Sequence, residues 1–134
     1  MSRVVPPPSE DAAPFWEASR AGRFTLPWCL DCGQPFWYPR SRCPRCLGNR
    51  IEWREASGLG TVYALSVQHL PATPEMTDRV PYIVALIDLD EGARMMSNVF
   101  GCDPSDAAVG MRVQVGWEDL DDGRRLPVFE PAPA

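Results

Sequence analysis

Cys29-Leu30-Asp31-Cys32 and Cys43-Pro44-Arg45-Cys46 place four thiols in two pairs, with ten residues between the pairs. Two intervening residues let both sulfurs of a pair reach one ion from a tight turn, at zinc–sulfur distances of about 2.3 Å. Gly33 can take the positive φ that turns backbone amides toward the first pair. The second pair has Leu47 at that place and Gly48 one residue later, so its turn is expected to be less ideal, although Pro44 stiffens it. Four thiolates suit zinc, and they also suit the iron of a rubredoxin-like site, because sulfur ligands alone do not select the metal. Disulfides or free thiols are the remaining reading of the pattern. A sphere closed by four sulfurs has no open position for water, which makes the expected site structural.

The other residues capable of chemistry form no such group. His69 is the single histidine, at the end of a predicted strand, and reads as a surface or packing residue. Cys102 has acidic neighbours and no histidine nearby, so nothing lowers its thiol pKa and it reads as packed. Ser97 and Asn98 are expected to satisfy barrel hydrogen bonds, and Asp88, Asp90 and Glu91 to be solvated acid at a turn. Phosphate loops, nucleotide fingerprints and catalytic triads are missing from the sequence. An enzyme active site is therefore not expected.

Composition narrows the setting. A chain of 134 residues that is 45% hydrophobic can bury a core, but its first third is too small to fold without a staple. Its longest apolar stretch, Tyr82 to Ile87, is far below the ~20 residues of a membrane span. The segment from Met1 to Ser9 lacks the apolar core of a secretory signal, so a cytoplasmic location and no membrane partner are expected. Net charge is −5, and every basic residue is an arginine. Between Arg23 and Arg54, however, six arginines face only Asp31 and Glu52. This unevenness suits a small anionic ligand or an acidic partner better than a long phosphate backbone.

The elements that must hold the cysteines follow from local pattern. Residues 1–10 read as a flexible, proline-rich arm. Asp11 is the expected cap of a short helix reaching about Ala21, with Gly22 as its stop. Phe15 and Trp16 on that helix must dock on its own domain or on a partner. Short strands surround the two knuckles from Phe24 to Trp53. Five strands follow, expected at 61–70, 80–88, 93–100, 111–118 and 125–129, with a loop over 71–79 and a helical turn beginning at Asp103. Tyr63, Leu65 and Val67 are expected to share a face, as are Val113, Val115 and Trp117, and 80–88 is expected to be buried on both sides. The fold class is mainly β: a short N-terminal helix, a rubredoxin-like zinc ribbon, and a five-stranded barrel of the OB type. The expected division is 1–22 for arm and helix, 23–54 for the ribbon, 55–130 for the barrel and 131–134 for a tail.

With these residues laid out, the chain resembles a family of bacterial and archaeal proteins that join a helix, a rubredoxin-like zinc ribbon and an OB fold. The matching segments are Phe15–Ala18, the knuckles from Cys29 to Cys46, Trp53–Tyr63, Val80–Ile87, Ser97–Val99 and Gly110–Val113. The resemblance implies zinc as cofactor and a role as accessory subunit, without catalytic residues of its own. The implied partners are thiolase-like enzymes (acyltransferases, or the aldolases of steroid side-chain breakdown) or, less favoured for a chain with no fused second domain, hot-dog-fold enoyl-CoA hydratases. It also implies acyl-CoA binding. Arg40 and Arg42 are candidates for the phosphates, and Trp37 or Tyr38 for the base, with Phe15 and Trp16 as an interface anchor. The alternative for Phe36, Trp37 and Tyr38 is simple packing of ribbon on barrel. A single-stranded nucleic-acid module is the other functional reading, disfavoured by the acidic balance.

Overall fold

A computed structural model of the chain describes residues 3–133. Helix α1 (Ala13–Arg20) begins later than its sequence signals predict: Ala12 is the cap residue and makes no side-chain cap bond. Ser9 rather than Asp11 takes up a leading amide, its Oγ accepting from Ala12 N at 3.2 Å. The helix ends at Ala21, followed by Gly22 at φ +71°. Strands β1 (Thr25–Cys29), β2 (Gln34–Pro35) and β3 (Ile51–Glu55) form a small antiparallel sheet ordered β2-β1-β3.

The remaining strands are β4 (Leu59–Gln68), β5 (Tyr82–Leu89), β6 (Arg94–Val99), β7 (Arg112–Asp119) and β8 (Arg125–Pro131). They close a barrel in the order β4-β5-β6-β8-β7, the Greek-key order expected of an OB fold. Two seams close it differently. β4 meets β7 through three residue pairs, whereas β6 meets β8 through one parallel pair, Val99 with Phe129.

Three details depart from the sequence expectation. A bulge between Val62 and Ala64 shifts the face of β4, so Val62 is buried and Tyr63 is exposed under the stacked Arg94 guanidinium. In β5 one face is core and the other is only half buried. The expected loop at 71–79 contains a 3₁₀ turn (Pro74–Arg79) that buries Met76.

The N-terminal arm is also ordered where flexibility is expected. Arg124, only 4% exposed, donates to the carbonyls of Pro6 (2.8 Å) and Val5 (2.9 Å). Its Nε donates to Asp122 at 2.7 Å, and its guanidinium lies 4.9 Å from the Trp16 ring. One buried cation thus ties arm, helix and the β7–β8 turn together. Asp122 is held below the usual carboxylate range, first by the Arg124 amide and against burial, with the charges of Arg124 and Arg20 helping. That contribution is present above its unfolded pKa of about 3.9 and is lost as pH falls below it. Among the described residues, no helix is long and apolar enough to cross a membrane.

Removing the cation takes the donor from the Val5 and Pro6 carbonyls and the partner from Asp122. Arg124→Ala is expected to lower stability by about 2–4 kcal/mol in chemical denaturation and to open residues 3–8 to proteolysis. An arm that stays protected in this variant would mean that the bonds of Arg3 to Asn98 and of the Val4 amide to Glu75 suffice to anchor it.

Candidate functional site: a four-thiol centre and an aromatic cavity

The four cysteines picked out by spacing converge. Cys29 ends β1, Cys32 sits on the turn into β2, and Cys43 and Cys46 span the second knuckle. All four Sγ atoms lie within 4.8 Å of one another, with Cys29–Cys46 at 3.5 Å and Cys32–Cys43 at 3.7 Å. A tetrahedral ion with bonds of about 2.3 Å has sulfur–sulfur edges of about 3.8 Å, and the Cys29–Cys46 and Cys32–Cys43 pairs already stand near that spacing. Gly33 adopts φ +70° as expected, and Leu47 takes the same left-handed geometry at +63°. A side chain at that conformation costs energy, and the turn keeps it because Leu47 N donates to Cys43 O at 2.9 Å. Gly48 leaves room for Asp31, whose carboxylate accepts from Arg50 Nε at 2.8 Å across the two knuckles.

The electrostatics call for a cation. The Cys46 amide, against burial and assisted by the Arg45 amide, draws the Cys43 thiol down to about 6. Cys46 feels the Gly48 amide as well. Its hydrogen bonds with Cys29 and Cys43, its burial and the Cys29 charge nonetheless push it up to about 11. Thiolates crowded this closely repel, and a dication is what lets all four lose their protons. Because four sulfurs fill the sphere, the chemistry available to the ion is structural.

The aromatic candidates meet elsewhere, where helix, ribbon and barrel join. Phe15 is 1% exposed and touches Trp16, Phe24, Trp37 and Trp53, with ring centroids 4.8–6.5 Å apart. Above it lies a cavity of about 270 Å³ to which Trp16, Trp37 and Tyr38 contribute walls and Met95 and Met96 part of the floor. Ser97 and Asn98 reach its polar end and also bond within the barrel as expected: Ser97 Oγ donates to Pro127 O at 2.9 Å, and Asn98 Nδ2 to Ile83 O at 2.8 Å. Arg40 and Arg42 are exposed and do not line this cavity; Arg42 Nη1 donates to Leu47 O at 3.0 Å.

Arg3 also lines the cavity, and the sequence carried no signal for it, because a lone arginine before a proline run reads as tail. Burial lowers its pKa most, although Glu118 opposes this. Cys102 is half buried, with its thiol pushed up by burial and by Asp106 and Asp103, in keeping with an unreactive thiol. His69 is exposed on a separate shallow depression beside Asp103 and Ser105.

A rubredoxin-like ribbon joined to a small barrel is a recognised pairing. Residues 16–52 match the family described as the ChsH2 rubredoxin-like zinc ribbon domain, and residues 53–118 match the ChsH2 C-terminal OB-fold domain. A DUF35 domain-containing scaffold protein of Methanocaldococcus jannaschii is 38% identical over 101 residues, covering 71% of this chain and 70% of that protein. The chain belongs to this ChsH2/DUF35 family of zinc-ribbon and OB-fold proteins, and its four-cysteine cluster, inside the matched ribbon, fits zinc binding. A chain of the Ltp2-ChsH2(DUF35) aldolase superposes with a TM-score of 0.84 at 35% identity, over 96% of this chain and all of that one. A probable enoyl-CoA hydratase alpha subunit of Thermomonospora curvata is 35% identical over 130 residues. The match takes in 97% of this chain but spans only 40% of that longer relative.

Cys43→Ser is expected to drop bound zinc from one per chain to none and to lower the thermal midpoint, since a structural metal supplies folding free energy. Metal analysis with circular dichroism checks this. A metal-free variant as stable as the parent would show that the ribbon stands without its ion.

Proposed function

We propose that this chain is a non-catalytic accessory subunit of a thiolase-like enzyme, of the acyltransferase or steroid side-chain aldolase type. In this reading it stabilises its partner and helps bind or channel an acyl-CoA. The observation that carries it is the match to a chain of the Ltp2-ChsH2(DUF35) aldolase structure, which extends over the whole of that matched chain. The closed thiolate centre supports it too, since an ion so held has no position for substrate. The zinc-holding residues are Cys29, Cys32, Cys43 and Cys46. Arg40 and Arg42 supply exposed charge for phosphates, and Tyr38, about half exposed, a ring for the base. Trp16 and the rim around it are the proposed partner contact, with Phe15 buried beneath to hold the rim in place. The setting proposed for this complex is the cytoplasm.

A second reading, partner of a hot-dog-fold enoyl-CoA hydratase, is favoured by the likeness to the Thermomonospora alpha subunit. Single-stranded nucleic acid is disfavoured by the arginines themselves. Arg23, Arg50 and Arg54 are paired with Glu55, Asp31 and Glu52, which leaves Arg40, Arg42 and Arg45 as the ribbon's exposed arginines without an acidic partner among the described ion pairs.

Tagged protein recovered from its native cell extract, with and without acyl-CoA, is expected to bring down a thiolase-like subunit at stoichiometric yield. A hydratase subunit instead would select the second reading, and neither would sink both. Trp16→Ala is expected to weaken that complex about tenfold or more with little loss of fold, as for an aromatic anchor at an interface. Phe15→Ala is the wrong test, because it removes a core side chain.

A further inference from the structure

The N-terminal arm makes its bonds on both sides of the place where the barrel is most weakly closed. β6 and β8 share the single pair Val99 with Phe129, whereas β7 and β8 are paired along their length. On the β6 side, Arg3 Nη1 donates to Asn98 Oδ1 at 2.8 Å, and Asn98 Nδ2 in turn donates to Ile83 O of β5 at 2.8 Å. The Val4 amide donates at 3.2 Å to Glu75, on the 3₁₀ turn that precedes β5. On the β8 side, the carbonyls of Val5 and Pro6 accept from Arg124, the residue before β8 begins. Arg3 also faces across the gap, with its Nε 3.5 Å from Glu118 Oε2 on β7 and both side chains largely buried. Four consecutive residues thus hold Asn98 and Glu75 on one side and Arg124 and Glu118 on the other.

A tail bonded to one side only adds local order and nothing more. Here the bonds change sides between Val4 and Val5, with no residue between them to give slack. Pro6, Pro7 and Pro8 fix φ and favour extended chain, so the segment cannot shorten or coil to follow a moving strand. Asn98 and Arg124 are both nearly fully buried, and each loses a hydrogen-bond partner if the arm departs. We propose that residues 3–6 are a strap that holds the β6–β8 seam shut, and that releasing the arm opens the barrel along this seam while the β4–β7 side stays closed. Ser97 and Asn98 of β6 and Leu126 and Pro127 of β8 line the aromatic cavity together. The cavity therefore straddles the seam, and the strap sets how far apart its walls stand. The assignment needs neither a ligand nor the partner enzyme.

The test is hydrogen–deuterium exchange, read strand by strand, on the full-length zinc-loaded protein and two variants. One variant lacks residues 1–8, and the other keeps every anchoring residue but carries four glycines inserted between Val4 and Val5. In both, amides of β6 and β8 at the seam are expected to lose about tenfold or more of their protection, and those paired between β4 and β7 less than about twofold, with zinc content unchanged. Glu75→Ala, which removes one fastening from the arm and nothing from the barrel core, is expected to give a smaller loss at the same amides, about threefold. Parental protection at the seam in the insertion variant overturns the proposal, because a slack arm would then serve as well as a taut one. A loss spread equally over all five barrel strands also overturns it, and leaves the arm as a contributor to global stability alone.

Discussion

A ribbon of about thirty residues cannot bury enough apolar surface to hold itself together. Its private core is Cys29, Phe36 and Cys43, with Ile51 packed beside them. Everything else it buries, it buries against another part of the chain. Phe24 and Leu26 from the ribbon sheet share one cluster with Phe15 from the helix and with Val62, Ile83, Ile87 and Phe129 from the barrel. The metal secures the far end of the ribbon and this common core secures the near end. Phe15 is where the dependence concentrates, since its four aromatic neighbours come from the helix and the ribbon, and Phe24 passes the contact on to Trp117 and Phe129.

Charge follows the same economy. The chain uses arginine alone, and most of its arginines are spent on specific geometry rather than on a general field. Arg112 holds Asp90 with two bonds, at 2.7 and 2.8 Å, and keeps that carboxylate below its usual range. Arg94 pairs with Asp88 while its guanidinium stacks 3.5 Å from the Tyr63 ring. Planar, bidentate pairing of this sort needs a guanidinium, and an ammonium cannot replace it. In the ribbon, Arg50 and Arg54 pair with Asp31 and Glu52 and Arg23 pairs with Glu55, while Arg40, Arg42 and Arg45 have no acidic partner among the described ion pairs.

Much of this was legible before any coordinates. Thiol spacing located the centre because zinc geometry demands it, and the order of five strands located the barrel. Tyr63 was misread because a bulge is invisible to alternation, and one extra residue reverses every face beyond it. The ordered arm was invisible for a different reason. Its anchor, Arg124, lies 118 residues from Pro6, and a proline-rich tail carries no periodicity that could announce a distant partner. Trp16, Trp37 and Tyr38 were recognisable as unusual residues, but not as neighbours, since their meeting depends on how ribbon and helix fold back over β6.

The two seams of the barrel make it mechanically uneven. β4, β5 and β6 form one leaf and β7 with β8 another, joined firmly on the β4–β7 side and by a single strand pair on the β6–β8 side. Such a wall behaves as a hinged book rather than a ring, and thermal breathing parts the leaves at the weaker edge. Phe100 N on Phe129 O and Ser97 Oγ on Pro127 O are the only further described hydrogen bonds across that edge. Amides of β6 and β8 that face this seam should therefore exchange with solvent before those of the fully paired strands, and whatever clasps the two leaves from outside sets how often the core is wetted.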